Sequence, residues 1–196
     1  MKGLLMKVAV ILLTPHVILC GATKASAQQG AACNLSVGQS PRLRGLRLGM
    51  TAEQLGKLYP RLPALKADEF GQARANFSSL KDVDEAAFEG VESIQLNFVD
   101  ERLVEFGVYY RAVPFDSLSQ FTAKLRESLK LPEAWEGEGE NTRTLACEGF
   151  RMEAGANSYW SHGMTPYVRL RQPGAEAVVA KRAEEKRERQ RQAFKP

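Results

Sequence analysis

Apolar and polar positions alternate most regularly in residues 93–110. Ile94, Leu96 and Phe98 alternate with Ser93, Gln95 and Asn97, and then Val104, Phe106, Val108 and Tyr110 with Glu105, Gly107 and Tyr109. A period of two puts each set on one side of a strand. Between the runs, Val99-Asp100-Glu101-Arg102 is short enough for a hairpin connection. A two-residue type I′ loop would want glycine where Glu101 stands, so a longer or bulged turn is expected. Residues 143–147 and 150–154 form a second pair of short runs joined through Glu148-Gly149, and 167–171 alternates again with Val168 and Leu170 inward. Residues 73–80 read as a strand carrying Phe77, and 81–90 as an acidic loop. Residues 133–143 read as a loop around Trp135, and 156–165 as a loop carrying Tyr159, Trp160 and His162.

Three stretches follow the helical period instead. In 44–60, Leu46, Leu48 and Met50 alternate as in a short half-buried strand. Thr51 then stands three residues before Gln54, the spacing of a capping box. Pro60 ends this first helix, because the residue before a proline is pushed out of the helical region. Ser117 and Gln120 repeat the capping spacing. Leu118, Phe121, Leu125 and Leu129 then line one side of a second helix that Pro132 stops. A third helix begins near Ala175, but its apolar stripe (Val178, Val179, Ala183) fades quickly. Residues 184–196 are therefore expected to project into solvent with a frayed end.

Helices interspersed with hairpin-linked strands give an α+β fold. Its antiparallel sheet, or sheets, of hairpins would carry two amphipathic helices on one face and a charged C-terminal helix. The division expected is 1–27 as signal peptide, 28–174 as a single α+β domain and 175–196 as a charged helical tail. A capped helix followed by paired strands occurs twice, in 51–111 and in 117–171, which hints at an internal duplication.

The N-terminal reading comes from Lys2 and Lys7, the apolar run from Val8 to Leu19, and Ala25-Ser26-Ala27 before a cleavage expected after Ala27. Pro15 and His16 break the run, which is short of the roughly 18 apolar residues a membrane span needs. Acylation at Cys20 is the alternative, with Leu19 where a small residue is usual. Cleavage takes three Lys and no acid from 27 basic and 23 acidic residues, leaving 24 against 23, a net +1. Within that balance, residues 181–195 hold seven Lys or Arg and three Glu, so a slightly acidic domain carries a basic tail.

Of three cysteines, Cys33 and Cys147 survive cleavage, an even number in an oxidising compartment, so a Cys33–Cys147 disulfide is expected. The competing arrangement is a Cys147–His162 thiolate pair. With His162 as the remaining histidine, the sequence nominates no metal site. It also nominates no cofactor, and no phosphate loop, dinucleotide fingerprint or nucleophile elbow is present. The mixed-sign tail argues against nucleic acid as partner and for weak contact with anionic envelope surfaces. Tyr159, Trp160 and His162 are candidates for contact with a protein partner. The function expected is a secreted or periplasmic, non-catalytic binding domain with an envelope partner. A small secreted hydrolase, using carboxylates that spacing alone does not select, is the alternative.

Gly45-Leu-Arg-Leu-Gly-Met-Thr51, running into a short helix that ends Tyr59-Pro60, resembles the opening of small secreted bacterial proteins without assigned function. More distantly it resembles the SmpA/OmlA-type envelope-assembly lipoproteins. That resemblance covers about a tenth of the chain. It implies a fold like that of β-lactamase-inhibitor proteins and an envelope location, and it carries no functional residue across. Leu58-Tyr59-Pro60 stands where that pattern has Leu-Gly-x-Pro.

Overall fold

A computed structural model describes residues 33–60, 64–77, 88–111, 113–137, 141–160 and 163–194, the side chains of 157–160 and 163 apart. The signal-peptide region and most of the acidic stretch 81–90 lie outside the described residues, as does His162.

Among the described residues, seven strands form one antiparallel sheet: β1 (Gln72–Phe77), β2 (Val91–Val99), β3 (Arg102–Tyr110), β4 (Trp135–Gly137), β5 (Thr142–Ala146), β6 (Arg151–Trp160) and β7 (Gly163–Arg171), in the order β1-β2-β3-β7-β6-β5-β4. With α1 (Ala52–Leu58), α2 (Leu118–Leu129) and α3 (Ala175–Ala193), the fold is mixed α+β. Its two meanders, β1–β3 after α1 and β4–β7 after α2, meet through their last strands, β3 and β7, at the centre of the sheet. That arrangement is the spatial counterpart of the repeated helix-then-strands pattern in the sequence.

Alternation sorts the strands into two faces. Ile94, Leu96, Phe98, Phe106, Val108 and Met152 point inward and are at most 3% exposed. Leu118, Phe121 and Leu125 of α2 join the same core, as does Leu55 of α1. Each such side chain contributes about 1.5–3 kcal/mol relative to exposure. Both helix starts are capped as their spacing predicts. Gln54 N–H donates to Thr51 Oγ1 while Gln54 Oε1 accepts from Thr51 N–H. Gln120 N–H donates to Ser117, and its side chain accepts from Asp116 N–H instead of from Ser117.

Four local expectations are corrected. Residues 44–50 are a chain of turns and not a strand: Leu43 and Leu46 close a tight bridge across Arg44 (φ 52°) and Gly45 (φ 83°), and Gly49 (φ 80°) turns the chain again. Leu46 and Leu48 still reach the core, so turns met the alternation that a strand was expected to meet. The β2–β3 connection has two residues after all. Val99 pairs with Arg102, and Asp100 (φ 49°) and Glu101 (φ 62°) both adopt the left-handed conformation of a type I′ turn. The left-handed cost there is offset from outside, because Asp100 N–H donates to Gly71 O and its carboxylate is held by α3. Residues 156–165 are mostly strand, because β6 and β7 run on with Tyr159 opposite Met164 and Trp160 opposite Gly163. Trp135 sits on an edge strand, β4, that the acidic flanks of 133–143 concealed.

The Cys33–Cys147 disulfide forms across 114 residues. It joins residue 33 to the β5–β6 turn, where Glu148 N–H donates to Cys33 O and Gly149 N–H to Leu35 O, both at 2.9 Å. Gly149 must be glycine: a Cβ there would lie 2.1 Å from the Val37 nitrogen. The lead into the domain is thus pinned from Cys33 onward.

Candidate functional site

The outward face of the sheet is where chemistry collects. Arg169 on β7 stands opposite Gly107 of β3 on one side and Glu153 of β6 on the other. Glycine at 107 leaves room for the ring of Tyr109 to fold back, so that a Cβ at 107 would meet that ring at 3.1 Å. Gly155 is covered more tightly by Tyr167, with a Cβ placed 2.5 Å from the ring. Large rings lying over glycines replace the missing side chains on the strand surface. The two tyrosines stack, centroids 5.6 Å apart and planes at 29°.

Arg169 is the hub of this cluster. One guanidinium nitrogen donates to the Tyr109 hydroxyl at 3.1 Å, another lies 3.6 Å from Glu105, and a third 3.9 Å from Glu153. Its guanidinium carbon sits 5.7 Å from the Tyr167 ring centre. Tyr167 donates to Glu153 at 2.8 Å, and Tyr109 donates to Gln95 at 3.2 Å. Burial opposes the charge on Arg169, but the Tyr109 hydroxyl and the carboxylates of Glu153 and Glu105 outweigh it and hold the guanidinium pKa up. Burial and then the neighbouring Glu153 carboxylate push the Tyr167 hydroxyl up as well. With side chains 20–36% exposed, the Arg169–Glu105–Glu153 network is half-desolvated and correspondingly rigid.

Alongside it runs a groove of about 660 Å³ whose other wall is α3. The sheet contributes Arg74, Asn97, Glu105 and Arg169, and the helix contributes Glu176 and Val179. α3 buries none of its own residues, so its position rests on polar contacts. Arg182 bonds both oxygens of Asp100 and also donates to Phe70 O at 2.8 Å. Lys186 pairs with Glu69 at 2.5 Å and lies 5.7 Å from the Phe70 ring centre. The expectation that everything from Glu184 projects freely therefore holds only past Lys186.

Of the residues nominated from sequence, Cys33 and Cys147 are joined, which removes the thiolate alternative. Tyr159 and Trp160 lie at the far end of β6 from Glu153 and are not part of the Arg169 cluster. Sequence reasoning missed Glu105, Tyr109, Glu153, Tyr167 and Arg169. The signal was the polar phase of the alternation, in which Glu105-x-Gly107-x-Tyr109 and Tyr167-x-Arg169 place aromatic, charged and side-chain-free positions on one face. Among the described residues, no group of three or more His, Cys, Asp or Glu is placed to hold a metal ion. No helix among them is long and apolar enough to cross a membrane.

No model of a known family matches this chain, and no curated protein does. Among solved structures, the 1.5 Å crystal structure of an extracellular protein containing an SCP domain from Bacillus anthracis str. Ames superposes with a TM-score of 0.34. Identity is 10%, over 64% of this chain and 44% of that one. This chain spans less than half the length of that protein, and a likeness so loose fixes neither fold nor activity.

Proposed function

We propose that the protein is an exported, non-catalytic binding domain whose contact surface is the outward sheet face along the α3 groove, and whose partner is a protein of the cell envelope. One observation carries the reading. The two carboxylates brought together on that face, Glu105 and Glu153, are both committed to Arg169, and Glu153 also accepts from Tyr167. Carboxylates fixed in this way shape and charge a surface. Stacked tyrosines with an arginine beside them are the residue types that dominate protein contacts. The disulfide and the secretory-type N-terminus support the exported location, where such a crosslink persists.

Tyr159, Trp160 and His162, at the β6–β7 end of the sheet, form a second contact point in this proposal, on residue type alone. The basic end of α3, with Arg187, Arg189 and Arg191, adds weak attraction to anionic envelope surfaces. The kinship with SmpA/OmlA-type envelope domains belongs to the same proposal, through the Gly-Met-Thr turn into α1.

Co-sedimentation with washed envelopes tests the reading. The exported protein is expected to co-sediment, and Arg169→Gln, compared at a temperature where both are folded, to lose most of that binding. Envelope hydrolysis that disappears in Glu105→Gln or Glu153→Gln would support the hydrolase instead.

A further inference from the structure

On the other side of the sheet from α3, the turn at 42–44 faces the flank of α2, and the two enclose a groove of about 340 Å³. Its floor is apolar. Leu43, Phe121 and Leu125 are buried there, while Tyr110 and Phe115 are half-exposed and each meets the Phe121 ring edge-on at 5.9 Å. Among the described residues, the charged side chains that line it are all cations: Arg42, Arg44 and Lys124. Lys124 is paired with Glu127, and Arg44 donates to the Glu89 carbonyl at 2.7 Å. Arg42 has no hydrogen-bond or ion-pair partner among the described residues. The charge of Arg44 reaches into the groove, where it draws the Tyr110 hydroxyl pKa down against the larger upward push of burial.

An apolar floor open to water gains by being covered. Cations that no acid accompanies among the described lining residues select a negative group, and two arginines offer the planar donor geometry that suits a carboxylate. The volume lies near the lower end of small-molecule sites, about 300–1,000 Å³, which fits one slender ligand better than a folded partner. We propose that this groove binds a single-chain anionic amphiphile of the fatty-acid class. Its alkyl body covers Tyr110, Phe115 and Phe121, and its carboxylate meets Arg42 and Arg44. The site shares no residue with the α3 groove and does not depend on the function proposed above.

The test is calorimetric titration of the full chain with laurate, 1-dodecanol and dodecyltrimethylammonium, each below its micelle-forming concentration. Saturable laurate binding is expected, at least about tenfold tighter than that of the uncharged and cationic probes. Arg42→Glu and Ser128→Glu place a negative charge on the exposed rim without touching the floor. Each is expected to weaken laurate binding about tenfold or more at an unchanged melting temperature. Three results would overturn the proposal: no saturable laurate binding, equal affinity for the three probes, or both variants binding laurate as the parent does. Binding of an acidic aromatic peptide in place of laurate would also overturn it, and would point to a protein partner at this site.

Discussion

Arg182 on α3 grips Asp100, at the tip of the β2–β3 turn, through two parallel hydrogen bonds of 2.8 Å, one to each carboxylate oxygen. The contact joins residues 82 apart in sequence and supports a type I′ turn that contains no glycine. It also fixes the outer wall of the candidate groove.

The first prediction follows from this pair. The Arg182 hydrogen bond, helped by its charge, holds the Asp100 carboxyl below the ordinary aspartate range. A carboxyl with a lower pKa in the folded state contributes stability at neutral pH. That contribution is lost as pH falls from the unfolded value, about 4, through the folded one. Both groups are solvated, so the effect belongs to the docking of α3 and not to global stability. Protection of residues 175–186 against hydrogen exchange, taken relative to the intrinsic rate at each pH, is expected to fall below about pH 4, and Asp100→Asn to show reduced protection already at neutral pH. Exchange that is the same in Asp100→Asn and parent at neutral pH would show that the pair does not hold the helix.

Truncation separates the docked part of α3 from the free part. Among the described residues, 188–194 make no hydrogen bond or ion pair to the sheet domain, so on deleting 188–196 exchange in 175–186 should be unchanged. Deleting from Glu184 also removes Lys186, its pair with Glu69 and its seat against Phe70, and exchange in 175–183 should rise. If both deletions behave alike, Lys186 does not anchor the helix.

Gly155→Ala tests the packing of the outward face. The added methyl would fall 2.5 Å from the Tyr167 ring, which must move and weaken its bond to Glu153. Overpacking of this kind costs about 1–3 kcal/mol. The denaturant midpoint should fall accordingly, and a midpoint equal to the parent's would mean that Tyr167 swings away freely.

The crosslink is checked by chemistry. Denatured, unreduced protein from residue 28 onward should show no free thiol, because Cys33 and Cys147 are bonded to each other. Reduction is expected to lower stability by about 2–5 kcal/mol in chemical denaturation, since the bond closes a loop of more than a hundred residues. Two titratable thiols, or no change on reduction, would contradict it.

Strand alternation and helix caps were legible because they are local. The pattern of Ile94 to Phe98, the box of Thr51 with Gln54 and the stripe of α2 all need only nearby residues. Parity and compartment were enough for Cys33 and Cys147. The Asp100–Glu101 turn was misjudged because its conformation is supported by Gly71 and Arg182, which sequence distance hides. Within the loop expected at 156–165, residues 156–160 and 163–165 proved to be strand, because pairing continues there although the apolar pattern lapses. The Arg169 cluster is legible only once β3, β6 and β7 are known to be neighbours, since its members are scattered over 65 residues and look individually like ordinary surface positions.

Site-specific photo-crosslinking in the exporting cell tests the central claim most directly. A crosslinking residue at Arg74, exposed on the sheet wall of the α3 groove, is compared with one at Glu53, exposed on α1. A discrete envelope-protein adduct is expected from position 74, absent from position 53 and lost when Arg169→Gln is added. An adduct from 53 alone, or the same adducts from both positions, would contradict the assignment of the outward face as the binding surface.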